Sequence, residues 1–327
     1  MNKRIIALVL LSSFLLSACA NGGEQTTVAT APSSTETVPT ETTETSDTSE
    51  TPETTEEATT ATTTEMPTVP FESVEQPKDA VPPEGYHFVW GDEFDGKELN
   101  TEIWNRERHE KGWVNHELQE YKLDEEYAYV KDGNLIIQPT KVVDDNGEVK
   151  YYSGRVNTCD KFTVKYGRIE ARIKTPEGVG FLPAFWMLPN RGRWPIGGEI
   201  DIMEIVGGQE DTVHSTLHYG NPHAMGQGSQ KMDVQLSKDY HIYACEWDPE
   251  EIRFYIDGVL YHTETEWYSA AAETLKYDYP APFNKPFYII FNVAVGGDWP
   301  GDPDENTTFD KKAQMRVDWV RVYQKDQ

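Results

Sequence analysis

Residues 198–204 read Gly-Glu-Ile-Asp-Ile-Met-Glu, which puts three carboxylates, Glu199, Asp201 and Glu204, within six residues. A β-strand turns successive side chains to opposite faces, so Glu199 and Asp201 share one face and Ile200 and Ile202 the other. Glu204 falls one residue out of step, because strict alternation would put Met203 on the acidic face. One extra residue at a β-bulge returns Glu204 to the row, and bulges concentrate beside active sites. Like charges raise the pKa of at least one member, as a carboxyl acting as an acid near neutral pH requires. Two carboxyl groups are also the machinery of glycoside hydrolysis. Retaining enzymes hold nucleophile and acid/base about 5–5.5 Å apart, inverting enzymes roughly 6.5–9.5 Å. The spacing in sequence leaves both outcomes open. Asp201, between the two glutamates, is placed to hold a proton and to orient the nucleophile.

Such a row needs strands to carry it. From Tyr86 onward the chain shows period-two alternation broken by turn residues, with no long helical stripe. Examples are residues 128–138, 162–173, 252–261, 287–295 and 316–323. Asp257-Gly258 is a two-residue hairpin signal. Many short strands at this spacing predict an all-β, two-sheet sandwich or jelly roll. Helix is expected only as a turn near Ser269–Leu275, and no internal repeat is visible.

Not all 327 residues belong to that domain. Residues 1–18 read as an export signal: Lys3 and Arg4, then an apolar stretch from Ile5 to Leu16 that is too short to span a bilayer. Leu16-Ser-Ala-Cys19 resembles the lipobox of bacterial lipoproteins. That resemblance implies lipid on the Cys19 thiol and an extracellular protein anchored to a bacterial membrane. Residues 19–82 form a Thr/Ser/Glu/Pro-rich linker, expected to be a disordered stalk because it has too little apolar surface to offset its ordering entropy. Residues 20–80 hold 13 acidic residues and a single Lys, Lys78. The remaining domain, residues 83–327, is also acidic and holds all nine Trp. That balance argues against nucleic acid, which wants a basic groove. Of the three cysteines, Cys159 and Cys245 lie in the domain, paired or free.

Glu199-Ile-Asp-Ile-Met-Glu204 resembles the active-site signature of family 16 glycoside hydrolases, in the bulged form of laminarinase-type endo-1,3-β-glucanases. The likeness extends through Gly91–Gly96, Trp113–Gln119, Ser153–Thr158, Tyr166–Arg172, Pro183–Leu188, Trp194-Pro195, Thr216–Tyr219, Gly296–Gly301 and Val317–Val322. It implies a jelly roll with a concave substrate cleft, Glu199 as nucleophile, Glu204 as acid/base and Asp201 as the assisting carboxylate. It further implies sugar contacts from Trp194, Trp186, His218, Arg155, Asn115 and Trp299. His116 stands where the family often has a second Asn. Family members often hold a structural Ca²⁺, for which Glu93 and Asp318 match the ligand positions; catalysis itself calls for no cofactor. The expected activity is retaining endo-hydrolysis of β-1,3-glucan or mixed β-1,3/1,4-glucan by a monomer. A transglycosylase and a non-catalytic carbohydrate-binding protein on the same fold are the alternatives. The intact Glu-Asp-Glu set speaks against the second.

Overall fold

Asp-Gly pairs set the local order. In a computed structural model, which describes residues 75–272 and 275–326, Asp132-Gly133 and Asp257-Gly258 both take positive φ at each residue. That conformation matches the twist of paired strands. It closes one hairpin between Ala128–Lys131 and Asn134–Ile137 and another between Ile252–Ile256 and Val259–Glu264. The strands assemble into two large antiparallel sheets. One has seven strands in the order Ala224–Lys231, Thr212–Tyr219, Glu199–Glu204, Phe181–Pro189, Phe287–Val295, Arg155–Asn157 and Asn105–Arg106. The other has eight, running from Val259–Glu264 through Ile252–Ile256, His241–Trp247, Gly167–Lys174, Met315–Lys325 and Asn134–Ile137 to Ala128–Lys131. Its eighth strand, Tyr86–Asp92, also pairs with Met315–Lys325.

Alternation decides what lies between the sheets. Phe185, Met187, Ile200, Leu217, Ile289, Phe291 and Val293 point inward from the seven-stranded sheet. Ile169, Ala171, Ile173, Tyr243, Cys245, Phe254, Val317 and Val322 meet them from the other, in one continuous core. Phe287–Val295 is buried along its whole length. Its other face, with Tyr288 and Ile290, forms a second apolar cluster with Cys159, against which Trp186 and Leu188 pack. The seven-stranded sheet therefore has one face on the core and an open face that is partly covered at one end. This is the expected two-sheet jelly-roll sandwich.

Three expectations change. The segment near Ser269–Leu275 is no helical turn but a hairpin of Ser269–Ala272 and Leu275–Tyr277. Burial of Ser269 and Ala270, with Ser269 Oγ donating to Ile196 O at 3.1 Å, overrides the helix preference of the alanine run. The only helical residues among those described are the 3₁₀ turn Lys311–Ala313. The strand expected from Phe162 begins at Gly167, whose φ of 120° and close approach to Tyr323 O exclude a Cβ. Of the two readings left open for the domain's cysteines, a Cys159–Cys245 pair is excluded, because Cys245 is a buried free thiol. The signal segment, Cys19 and the stalk through residue 74 lie outside the described residues. Residues 75–82, assigned above to the stalk, include a buried Ala80 and an Asp79 that pairs with Arg321 at 3.1 Å.

Candidate active site

The bulge is where the displaced glutamate required it. Asp201 and Glu204 pair with Trp186 and Ala184 on one neighbouring strand and with Thr216 and His214 on the other. A step of three residues in Glu199–Glu204 thus faces a step of two on each side. The extra residue lets Ile202 and Met203 both enter the core. Each such burial is worth about 1.5–3 kcal/mol, so the core itself holds the kink in place. As a result Glu199, Asp201 and Glu204 line up on the open face with Trp186, His214, Thr216 and His218, the last directly opposite Glu199.

The three acids differ in their surroundings. Burial raises the pKa of Glu199 to about 7, against the lowering effects of Arg155, the Trp194 indole and a hydrogen bond from Asp201. Trp194 Nε1 donates to Glu199 Oε2 at 3.0 Å. Asp201 is held well above the carboxylate range by burial, then by the charges of Glu199 and Glu204. Glu204 is pushed up to about 8 by burial, Glu199 and Glu117. Three groups favour the anion of Glu199; the neighbours acting on Glu204 are themselves acidic. The site therefore suits an ionised Glu199, a proton on Asp201 shared with it, and a protonated Glu204. These are the protonation states that a nucleophile and a proton donor require.

The remaining residues singled out in the sequence fall around this row. The Trp186 ring lies under the Arg155 guanidinium at 4.6 Å, and its Nε1 donates to Asn292 Oδ1 at 2.7 Å. Arg155 is buried and ion-paired with Glu107 at 2.9 Å. His218 Nε2 lies 3.4 Å from Asp201 Oδ2, and burial lowers its pKa to about 4, so the ring is neutral. Asn115 and Trp299 arrive on two loops tied together where Asp298 N donates to Asn115 O at 3.0 Å. Trp299 is exposed and meets His214 edge-on at 5.0 Å. His116, beside Asn115, is exposed and bonds Asp298. Cys19 lies outside the described residues.

Glu93 and Asp318 stand apart from the row. Glu93 accepts from Arg321 at 2.8 and 2.9 Å, and Asp318 accepts from Arg172 at 2.5 Å. Each carboxylate already faces a guanidinium, which a calcium ion would have to displace. The arrangement does not fit the expected ion.

Several contributors escaped the sequence reading. His223 Nε2 lies 2.9 Å from His218 Nδ1, with its ring 4.9 Å from that of Trp194. Despite burial, Arg155 and hydrogen bonds from His109 and Asn157 lower the pKa of Glu107 to about 2, making it a fixed anion that anchors Arg155. Glu117 is buried and accepts from Gln119 at 2.7 Å. Asn292 links Trp186 to the Tyr121 hydroxyl. Of these, only His223 had a local signal. Gly220, at φ 74°, opens a tight connection that folds His223 back over His218.

A family model described as the GH16 domain of β-porphyranases A–D matches residues 89–325. The chain is 38% identical over 262 residues to glucan endo-1,3-beta-glucosidase A1 of Niallia circulans, covering 73% of this chain and 38% of that protein. The chain thus spans well under half of that relative's length. It is 39% identical over 261 residues to a beta-glucanase of Rhodothermus marinus, covering 73% of this chain and 85% of the relative. The laminarinase structure from Rhodothermus marinus superposes with a TM-score of 0.64 at 37% identity, over 74% of this chain and 98% of that one. With two carboxyls in complementary states on a bulged strand, and these likenesses across the domain, the chain belongs to the family 16 glycoside hydrolases.

Proposed function

We propose that this hydrolase cleaves internal linkages of β-1,3-glucan or mixed β-1,3/1,4-glucan with retention of configuration. In the first step a Glu199 carboxylate oxygen attacks the anomeric carbon while Glu204 gives its proton to the departing glycosidic oxygen. The product is an ester between the sugar and Glu199. In the second step Glu204, now a carboxylate, takes a proton from water as that water displaces Glu199. Asp201 holds the proton that keeps Glu199 oriented. Trp186, Trp194 and Trp299 supply apolar faces for sugar rings, and Arg155, Asn115 and His218 supply hydrogen-bonding edges. One observation carries the reading: the bulge that puts both glutamates on the open face, with anion-stabilising groups around Glu199 alone.

The matching family model is described for porphyranases, and one relative is a keratan-sulfate endo-1,4-beta-galactosidase, so a sulfated polymer is the rival substrate. Sulfate groups call for unpaired cations, whereas Arg155 is paired with Glu107 and the row itself is acidic. A neutral glucan fits better. Product analysis of the purified protein on laminarin, lichenan, agarose, carrageenan and porphyran tests this, with NMR of the first-formed anomer. Oligosaccharides from laminarin or lichenan that appear first as the β-anomer are expected. Cleavage of galactans alone would overturn the substrate, and first appearance of the α-anomer would overturn retention.

We infer also that the enzyme works as a monomer outside the cell, tethered to the membrane by lipid on Cys19 through the residues that follow it up to the domain. No helix among the described residues is long and apolar enough to cross a membrane. Detergent phase partitioning checks the tether. The full chain is expected in the detergent phase and Cys19→Ser in the aqueous phase; identical partitioning of the two would sink it.

A further inference from the structure

His218 Nε2 lies 3.4 Å from Asp201 Oδ2 and 3.9 Å from Glu199 Oε1, and one donor atom of each residue falls within 4.8 Å of the others. Asp201 is 3% exposed, and its Oδ2 is buried without a hydrogen-bond partner. The second oxygen of Glu199 is taken by Trp194 Nε1, which leaves Oε1 turned toward His218. On its far side the His218 ring contacts His223, Nδ1 to Nε2, at 2.9 Å. With the proton of that bond on His218 Nδ1, the Nε2 lone pair faces a lone pair of the Asp201 carboxyl, and a cation between them relieves the repulsion as the proton shared by Asp201 and Glu199 leaves to solvent. Ligand atoms bound tetrahedrally to zinc at about 2.0–2.1 Å stand roughly 3.3–3.4 Å apart. The His–Asp spacing meets that value. The His–Glu spacing exceeds it by about half an ångström, which a small swing of Glu199 closes.

We propose that Glu199, Asp201 and His218 form a site for a divalent transition-metal ion such as Zn²⁺ that reversibly shuts the catalytic row. One imidazole and two carboxylates with a fourth position for water make a donor set suited to zinc. By the same donor preference Cu²⁺ binds more tightly. Ca²⁺ and Mg²⁺, which demand oxygen ligands, gain nothing from the imidazole. His223 holds the His218 ring and its tautomer, the support that metal-bound histidines regularly have. An ion here occupies the carboxylate that must attack the sugar, so binding and catalysis exclude each other. The site rests on the geometry of the row and is independent of which polysaccharide fills the cleft.

The test is calorimetric titration of the chelator-stripped full-length protein with ZnCl₂, alongside hydrolysis assays in the same buffer. The expected result is one Zn²⁺ bound per chain, loss of hydrolysis in step with occupancy, and recovery on adding a chelator. CaCl₂ is expected to give neither heat nor inhibition. His218→Asn and the near-isosteric Glu199→Gln are each expected to abolish the binding heat, and His223→Asn to weaken affinity about 10–100-fold. Absence of saturable zinc binding would overturn the proposal. So would zinc binding that survives in Glu199→Gln, a variant that alters no volume and whose folding is checked by thermal melting. Because the heat is read without substrate, failure on glucan leaves this result intact, and the reverse also holds.

Discussion

The outer face of the eight-stranded sheet and the open face of the seven-stranded sheet are made by the same alternation and treat their acids in opposite ways. On the outer face Arg168 pairs with Glu170 at 2.8 Å and Glu246 at 3.0 Å, and Arg253 pairs with Glu246 at 2.9 Å. Arg172 pairs with Asp318 at 2.5 Å, and Arg321 with Glu93 at 2.8 Å. On the open face, among the described residues, the row of Glu199, Asp201 and Glu204 is met by the Arg155 guanidinium at Glu199, and that group is bound to Glu107. Matched charges yield a stable surface with little chemical tendency. Unmatched buried acids retain protons at neutral pH, and those protons are what a glycosidic bond needs in order to break.

The sharpest way to break this contrast is to neutralise one acid on the open face. Glu199→Gln is expected to lower kcat on laminarin by about 10⁴-fold or more while glucan binding in affinity electrophoresis persists. Turnover close to wild type would remove Glu199 as nucleophile. Glu204→Ala is expected to lose activity on the polysaccharide and to regain part of it with azide, a small nucleophile that needs no general base in the second step.

Stability separates the two faces next. Arg321→Ala leaves Glu93 without its partner and is expected to cost about 2 kcal/mol, on the order of 4–8 °C in Tm, with kcat unchanged. Glu204→Gln is expected to have the opposite sign. The folded pKa of about 8 lies above the ordinary glutamate value of about 4.3, so the folded state binds the extra proton between those values. The contribution of this one group to wild-type stability is therefore fully present below about pH 4.3 and is lost as pH rises to about 8. The Gln variant escapes that loss and is expected to gain several kcal/mol by pH 9, up to about 5, with none at pH 4. Thermal melts of both variants across that range give the answer; equal signs at pH 9 would erase the distinction between the faces.

Much of this contrast is written locally. Glu204, out of phase with Glu199 and Asp201, signals the bulge because Ile202 and Met203 both demand burial. The Asp-Gly pairs announce their hairpins for the same kind of reason, a backbone conformation that few residues tolerate. What stays hidden depends on strands that meet only in the folded chain. Glu107 reaches Arg155 and Asn157 across a strand pairing, and Asn292 reaches Trp186 from the adjoining strand; neither position carries a local pattern. Glu93 and Asp318 teach the converse. Their places in sequence suggested an ion, yet Arg321 and Arg172 arrive through pairings that alternation alone does not specify.

Trp194 tests the finer division within the open face. Trp194→Phe keeps an aromatic ring and deletes the donor to Glu199 Oε2. A hydrogen bond to a carboxylate favours its ionised form, so the acid limb of kcat/KM is expected to move to higher pH. A fall of roughly tenfold in kcat/KM at neutral pH, about 1.4 kcal/mol, goes with it. An unchanged acid limb would mean that the indole serves sugar stacking alone.

Glu117 gives the smallest and most discriminating effect, because it acts on Glu204 and not on Glu199. It is buried on the loop that Gly297 lets pack closely, where a Cβ would meet Asn115 O at 2.7 Å and Glu117 Cγ at 3.3 Å. Its charge adds to that of Glu199 in holding the proton on Glu204, whereas Asp201 keeps a proton of its own. Glu117→Gln preserves the shape and removes the charge. The pKa of Glu204 then falls, so the alkaline limb of kcat/KM is expected to move down by about half a pH unit, about 0.7 kcal/mol. The acid limb, set by Glu199, is expected to stay. A merely structural role for Glu117 would lower the whole profile without moving either limb. A shift of the alkaline limb to higher pH would contradict the like-charge account of how this row keeps its proton donor.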